Sequence, residues 1–428
     1  MEIPSGLRRG DNPGCYRERN RAILQCDCYR EPRMSPRFLR IASTSLLFAV
    51  VGVAFSEVIE TPKAEAGVGS VTPTGSLAVG RTLFDWTDSH RTDPVAAEPR
   101  TKREFMVIVW YPAETQDASV RALWMPERWA VGEASLLYSQ RLASENPLTM
   151  RQAQQAIRQV VSNSVAEAPL AHDKTSWPVL LFAPGLGVNT AFYSTFTEDL
   201  ASHGYVVFGV VPTGWVAGTF PVALRLWADD LRFMLDQIEG LNEKSNSIFF
   251  HRLDLSRVGA FGHSFGGAAS ILAGLQDARI KAVLNLDGSP LGVLSKRVLP
   301  KPFMVVKHDV SSKYAIVPPD KAGRAKQAKV EEELSSEYLQ GRPGFRVSVG
   351  EAKHMTFSDM AVLETWADAG RRFGVRDASD SAKTMSVICD FILAFFDRFL
   401  LGQASPQLDR LGKAGICVLD SNAGSKVR

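Results

Sequence analysis

The sequence predicts a mainly parallel α/β sheet with helices packed on both of its faces. Three observations carry that prediction. Between residues 178 and 307, short apolar runs alternate with longer stretches whose apolar residues recur at helical spacing. Two of those runs, PVLLFA (178–183) and YVVFGVV (205–211), show no polar alternation, as expected of strands buried on both faces. The composition, 45% hydrophobic and 22% charged over 428 residues, supplies enough apolar side chains to bury such a sheet.

In chain order, residues 57–103 are rich in Gly, Pro, Ser and Thr. They read as an irregular segment with one edge strand at 76–83. EFMVIVWY (104–111) is a strand pattern bounded by Pro112. Residues 121–170 interrupt the rhythm with Trp124, Trp129, Leu136, Leu137, Tyr138 and Leu142, followed by a helix expected over 149–164. This stretch reads as an insertion, either a helical lid or pocket wall or a helical pair packed on the sheet edge. Regular alternation then resumes: strand 178–183, helix 192–203, strand 205–211, and a helix over 222–241 carrying Leu224, Leu231, Leu235 and Ile238 on one face. A strand at 257–262, a helix at 266–274 and a strand at 281–286 follow, with further strands at 302–307 and 344–350 and a closing helix at 382–401. The expected catalytic domain is 104–402, and 403–428 reads as a tail.

The net charge of +3 is unevenly placed. Residues 1–56 hold nine Arg against five acidic residues, and the remainder holds 40 basic and 41 acidic residues. The basicity therefore sits in the N-terminal segment and makes no case for nucleic-acid binding by the globular part. Residues 34–40 (MSPRFLR) precede a 15-residue apolar run at 41–55, and Ala54-Phe55-Ser56 and Ala64-Glu65-Ala66 fit a small-x-small cleavage pattern. The expectation is an export signal with translation starting at Met34, so that residues 1–56 are leader and signal peptide. An N-terminal membrane anchor is the alternative, although a span needs about 20 apolar residues. Three of the five cysteines (Cys15, Cys26, Cys28) fall before Met34, and Cys26-x-Cys28 is spaced too closely for a zinc knuckle. Cys389 and Cys417 remain for the exported chain, where a pairing is open.

The chemistry concentrates at Gly262-His263-Ser264-Phe265-Gly266-Gly267, between a strand pattern and a small-residue helix pattern. A sharp strand–turn–helix would push Ser264 into a strained conformation with its hydroxyl outward, and this G-x-S-x-G context predicts an α/β-hydrolase fold. A serine hydroxyl needs a base. In this fold the order is serine, acid, histidine, and only His308 and His354 lie downstream. His354 follows the strand at 344–350 in a loop, and is favoured over His308, which ends PFMVVKH. For the acid, Asp287 and Asp309 both stand at strand ends, 23 and 45 residues after Ser264. Both stay open on spacing alone. The N–H groups of Phe265, and of Leu186 in the loop of residues 184–187 (PGLG), are the expected oxyanion donors.

Taken together, LLFAPGLG (180–187), GHSFGG (262–267), LNLDG (284–288) and HMTFSD (354–359) resemble, in order, the motifs of the platelet-activating factor acetylhydrolase family of the plasma and intracellular type II kind. EFMVIVWYPA (104–113) is similar to that family's early strand ending in Tyr-Pro. The resemblance spans about residues 104–400. It implies Ser264 as nucleophile, Asp287 as acid, His354 as base, and Leu186 and Phe265 as oxyanion donors. It also implies hydrolysis of short or oxidised acyl esters without metal or other cofactor. Pro184 departs from the pattern, standing where the family has His before the first loop glycine.

The expected partner is therefore a small-molecule or lipid ester, with peripheral contact to a lipid surface and none with nucleic acid. The sequence points to no oligomeric state. A lipase, cutinase or polyester hydrolase on the same fold is the alternative, and would favour Asp309. A non-catalytic hydrolase-fold binding protein is a third reading, opposed by the retention of both Ser264 and His354. Trp124, Trp129 and Trp215 are candidates for an apolar pocket wall, with plain core packing as the alternative.

Overall fold

Apolar runs become strands here because each finds an apolar cover on both sides. In this computed structural model, residues 71–419 are described except 95, 97, 99, 115–120, 142–148, 214–219, 290–298, 309–343, 351, 363–377 and 412–415. The expected signal (34–56), the three early cysteines, Leu142, Trp215 and Asp309 lie outside the described residues. The strands are β1 (Ala78–Thr92), β2 (Lys102–Ala113), β3 (Arg121–Leu123), β4 (Val161–Ala166), β5 (Trp177–Ala183) and β6 (Val206–Val211). They continue as β7 (Leu253–His263), β8 (Ile280–Leu286), β9 (Phe303–His308), β10 (Gly344–Val349) and β11 (Ile416–Leu419). They form one sheet in the order β11-β10-β9-β8-β7-β5-β6-β2-β1-β4-β3. From β11 to β6 every neighbour is parallel; β2 is antiparallel to both β6 and β1.

The helices are α1 (Glu127–Arg141), α2 (Met150–Gln159), α3 (Ser194–Ser202), α4 (Phe220–Glu243), α5 (Phe265–Gln276), α6 (Ala378–Leu400) and the one-turn α7 (Pro406–Asp409). Along β5 all residues are buried, and successive side chains enter opposite cores: Leu180 and Phe182 on one face, Val179 and Leu181 on the other. The first face packs on α3 and α6 through Phe196, Leu200, Ile392 and Phe396, and also takes up Ala153 and Ile157 of α2. The second packs on α4 and α5 through Leu231, Leu235, Ala269 and Ile271. The predicted α/β-hydrolase class, a mainly parallel sheet with helices on both faces, is therefore observed.

Three sequence readings need correction. The edge strand expected at 76–83 is longer and more central than expected: β1 has 15 residues, pairs with β2 from Ala78↔Ala113 to Asp88↔Arg103, and lies inside the sheet between β2 and β4. Its polar residues hid its full length, and they are satisfied by hydrogen bonds. Arg81 donates to the Trp124 carbonyl at 3.0 Å, and Asp88 accepts from Arg91 Nε at 2.5 Å. The helix expected to reach 164 ends at Gln159, and β4 takes over. There Ser162 and Ser164 are buried and bonded to each other at 2.8 Å. The tail from 403 adds α7 and then β11, which pairs in parallel with β10 from Arg346↔Ile416 to Val349↔Leu419. Four residues among polar neighbours are too short to read as a strand. Cys389, on α6, is a buried free thiol. Among the described residues no helix is long and apolar enough to cross a membrane.

One buried ion pair ties the antiparallel part of the sheet to α4. Arg103 on β2 and Asp230 on α4 are both fully buried and meet at 2.6 Å. Arg103 Nη1 also donates to Asp93 at 2.9 Å and to the Thr213 carbonyl at 2.7 Å. Removing one member of such a pair leaves the other charge stranded, so Asp230→Ala is expected to lower unfolding free energy by about 3 kcal/mol or more. Urea titration checks this, and a loss below about 1 kcal/mol would mean that Asp93 and Thr213 satisfy the guanidinium alone.

Candidate active site

Ser264 stands between the last residue of β7 and the first of α5, at φ 53° and ψ −117°. A non-glycine residue rarely holds a positive φ, so the surroundings must enforce it. The Ser264 N–H donates to the Leu286 carbonyl of β8 at 2.8 Å, and its own carbonyl accepts from Gly267 at 3.1 Å. The glycine at 266 is obligatory: a Cβ there would run into the carbonyl oxygens of Ala183 and Pro184. The first turn of α5 thus lies directly against the loop of residues 184–187.

Asp287 follows β8 and also has a positive φ, 53°. Its N–H donates to the Val306 carbonyl of β9 at 2.7 Å. The Asn285 side chain clips the same turn, accepting from Gly288 N–H and donating to Gly288 C=O, both at 2.9 Å. The Asp287 carboxylate is almost wholly buried and accepts from two imidazoles. His354 Nδ1 lies 2.6 Å from Oδ2, and His308 Nδ1 lies 2.8 Å from both oxygens. The His308 N–H adds a bond at 3.2 Å. Burial opposes ionisation of Asp287, yet His308 and then His354 outweigh it and hold the carboxyl well below its ordinary range.

His354 begins a 3-10 turn (His354–Phe357) after β10. With Nδ1 donating to Asp287, Nε2 is the acceptor, and Ser264 Oγ lies 3.0 Å from it. The loop is pinned by Asp359, which accepts from Thr195 N–H at 3.2 Å and from the Trp124 indole at 3.4 Å. Burial pushes Asp359 up to about 6. The arrangement can take a proton from Ser264, hold it on an imidazole and stabilise the resulting cation.

The structure therefore brings Ser264, His354 and Asp287 into one hydrogen-bonded chain. Leu186 sits, partly buried, in the loop that touches the first turn of α5, and Phe265 follows Ser264 directly. Sequence reasoning weighed His308 only as a rival base; it is instead a second donor to the same carboxylate. It also passed over Asn285, Tyr193 and Glu133. The Asn285-x-x-Gly288 spacing was the one legible hint. Trp124 is core, fully buried, with its ring 4.6 Å from that of Phe192. The insertion does more than cover a sheet edge: Glu133 of α1 bonds the side chain of Asn189, just past the loop of residues 184–187. Ligand atoms of His263, Asp287 and His354 lie within 4.8 Å of one another, but a cation there would break the His354–Asp287 bond.

The chain matches the family model described as platelet-activating factor acetylhydrolase, isoform II, over residues 69–211 and 246–411. A PET hydrolase-like model matches residues 169–293. A probable 1-alkyl-2-acetylglycerophosphocholine esterase of Arthroderma benhamiae is 29% identical where the two align, over 31% of this chain and 38% of that protein. The chain thus aligns with well under half the length of that curated relative. A ferulic acid esterase from Streptomyces cinnamoneus superposes with a TM-score of 0.61 at 25% identity, covering 82% of this chain and 98% of its own.

Burial pushes Glu133 up to about 7, with the Asn189 bond opposing. A carboxyl whose folded pKa lies above its unfolded value binds its proton more tightly when folded. It therefore lowers stability as pH rises from about 4 to about 7, with no further effect above. Between about pH 5 and about pH 8 the urea midpoint of the wild type should fall further than that of Glu133→Gln. Equal falls would place the Glu133 carboxylate in water.

Proposed function

The chain belongs to the platelet-activating factor acetylhydrolase, isoform II, family, and we propose that it is a serine-dependent carboxylic ester hydrolase acting on short-chain or oxidised acyl esters. The observation that carries this reading is the chain from Ser264 Oγ to His354 Nε2 at 3.0 Å and from His354 Nδ1 to Asp287 at 2.6 Å, built on a strained turn.

Ser264 Oγ attacks the ester carbonyl carbon while His354 Nε2 takes the hydroxyl proton. The carbonyl oxygen becomes an oxyanion that accepts from the N–H groups of Leu186 and Phe265. Collapse breaks the bond to the alcohol oxygen, which leaves with the proton held on His354. An acyl group then remains on Ser264. Water attacks it, giving one proton to His354, and the second collapse releases the carboxylic acid and returns that proton to Ser264. Asp287 stays ionised throughout and stabilises the imidazolium. The substrate is a small-molecule or lipid ester. Exposed Leu123 and Val131 of the insertion provide apolar contact for a lipid surface. Residues 34–56 serve export of the chain.

A polyester or cutinase-like hydrolase is the second reading, favoured by the PET hydrolase-like match, which includes Ser264 and Asp287 but stops before His354. The full chain should be assayed on para-nitrophenyl esters from acetate to octanoate. Ser264→Ala is expected to lose about 10⁶-fold in kcat and Asp287→Asn about 10⁴-fold, whereas Asp309→Asn should retain activity. Turnover falling steeply beyond short acyl chains fits the acetylhydrolase-like pocket, and a rise toward octanoate favours the second reading. An active Asp287→Asn beside an inactive Asp309→Asn would overturn the assignment of the acid, and turnover that survives Ser264→Ala would overturn the whole reading.

A further inference from the structure

We propose that Tyr193 and His263 form a buried positioning pair that fixes the oxyanion loop against the nucleophile turn; the inference rests on the ester-hydrolase reading above. The two side chains come from different elements. His263 ends β7, one residue before Ser264. Tyr193 ends a 3-10 turn (Thr190–Tyr193) that starts just after the loop of residues 184–187 and is capped by Asn189. Tyr193 is fully buried and His263 nearly so.

One phenol oxygen joins them. Tyr193 Oη accepts from Gly185 N–H at 2.8 Å and lies 2.8 Å from His263 Nδ1. A phenol carries a single proton, and burial raises the Tyr193 pKa far enough to keep it there. Given to His263 Nδ1, that proton makes this nitrogen the unprotonated acceptor and puts the ring's own proton on Nε2. Burial, followed by the neighbouring His354, keeps His263 well below its ordinary value and so neutral. A protonated His263 would reverse the bond, donating Nδ1–H to Tyr193 Oη and leaving the phenol proton without this acceptor.

The loop fits the pair closely. A Cβ on residue 185 would lie 2.9 Å from His263 Nδ1 and 3.0 Å from Tyr193 Oη, so only glycine lets the backbone approach. With Gly185 N–H engaged, the orientation of the next peptide, which carries Leu186 N–H, is set from below. The His263 ring also stacks on Phe357 of the base loop, with centroids 5.9 Å apart and planes at 17°, and lies 4.6 Å from the His354 ring. The pair therefore touches the oxyanion loop, the nucleophile turn and the base loop together. Neutral His263 adds no second positive charge beside His354 when that residue takes the serine proton. Neither member reaches the substrate, so both are positioning residues.

Tyr193→Phe keeps the ring and removes only the oxygen. In the full chain it is expected to lower kcat on para-nitrophenyl acetate about 10- to 100-fold with KM changed less than about threefold. Affinity for a boronic acid, which forms a tetrahedral adduct on Ser264, should fall by a similar factor, while Tm falls by only a few degrees. His263→Asn, which keeps an acceptor near the Nδ1 position, should lose less kcat than His263→Leu. If Tyr193→Phe fails to fold, the contrast between the two His263 variants carries the test. Unchanged kcat and boronic acid affinity in Tyr193→Phe, or equal losses in His263→Asn and His263→Leu, would overturn the pair. Those results would leave the ester-hydrolase reading intact so long as Ser264→Ala is inactive. Activity that survives Ser264→Ala would instead remove the reading on which the pair rests.

Discussion

A carboxylate shut away from water stays ionised only if its oxygens are occupied by donors, and the whole site is arranged around meeting that condition at Asp287. Two imidazoles and one backbone N–H reach it. The first imidazole belongs to His354 and aims Nε2 at Ser264. The second, His308, performs no transfer and leaves the carboxylate fewer unfilled lone pairs. Its position is a consequence of strand pairing. β8 and β9 run in register as far as Leu286↔Val306, so Asp287, one residue further along, and His308, two residues further along, emerge within hydrogen-bonding reach. The strained φ of Asp287 is held by the Val306 carbonyl and by the Asn285 clip, contacts that involve neither histidine.

Parallel pairing supplies the remaining geometry. β5, β7, β8, β9 and β10 are consecutive neighbours pointing the same way. Their ends deliver the loop of residues 184–187, Ser264, Asp287, His308 and the His354 loop to one edge of the sheet. Adjacent strands lie only about 4.8 Å apart, so side chains at successive strand ends reach one another without long loops. The same crowding explains the glycines around Ser264. A parallel sheet brings the carbonyls of Ala183 and Pro184 against the start of α5, and only a residue lacking Cβ clears them.

This explains what was legible in the sequence and what was not. The turn at Ser264 could be read because both flanking patterns are regular and the glycines report contacts within a short stretch. His354 could be read from its place after a strand. Spacing could not separate Asp287 from Asp309, since both follow strand patterns. What joins Asp287 to His354 is a bond between residues 67 apart in the chain, a tertiary fact that local pattern does not carry. β1 was read too short and as an edge strand, and β4 was missed, for a different reason. Their polar side chains are inside: Arg81 and Ser162 satisfy carbonyls of the 122–124 segment, so hydrophobic alternation fails where burial is real. Tyr193 and His263 were invisible because a tyrosine after a loop and a histidine inside a nucleophile motif acquire meaning only once they meet.

The insertion belongs mechanically to the site, and its attachment is polar rather than apolar alone. Arg81 of β1 donates to the carbonyls of Leu123 and Trp124, where the insertion leaves β3. Burial pulls Arg81 down to about 10, with Glu198 and Glu167 opposing. Glu198, fully buried on α3, accepts from the N–H groups of Asn163 and Ser164 of β4, where the insertion returns. Trp124 then donates to Asp359, the residue that pins the base loop and also accepts from Thr195 of α3. A displaced insertion would therefore strand a guanidinium and two carboxyl groups in the interior, a far larger cost than the loss of a few apolar contacts. The segment that interrupts the sequence rhythm is accordingly held as a fixed wall at β3 and β4, and the His354 loop takes its position partly from it.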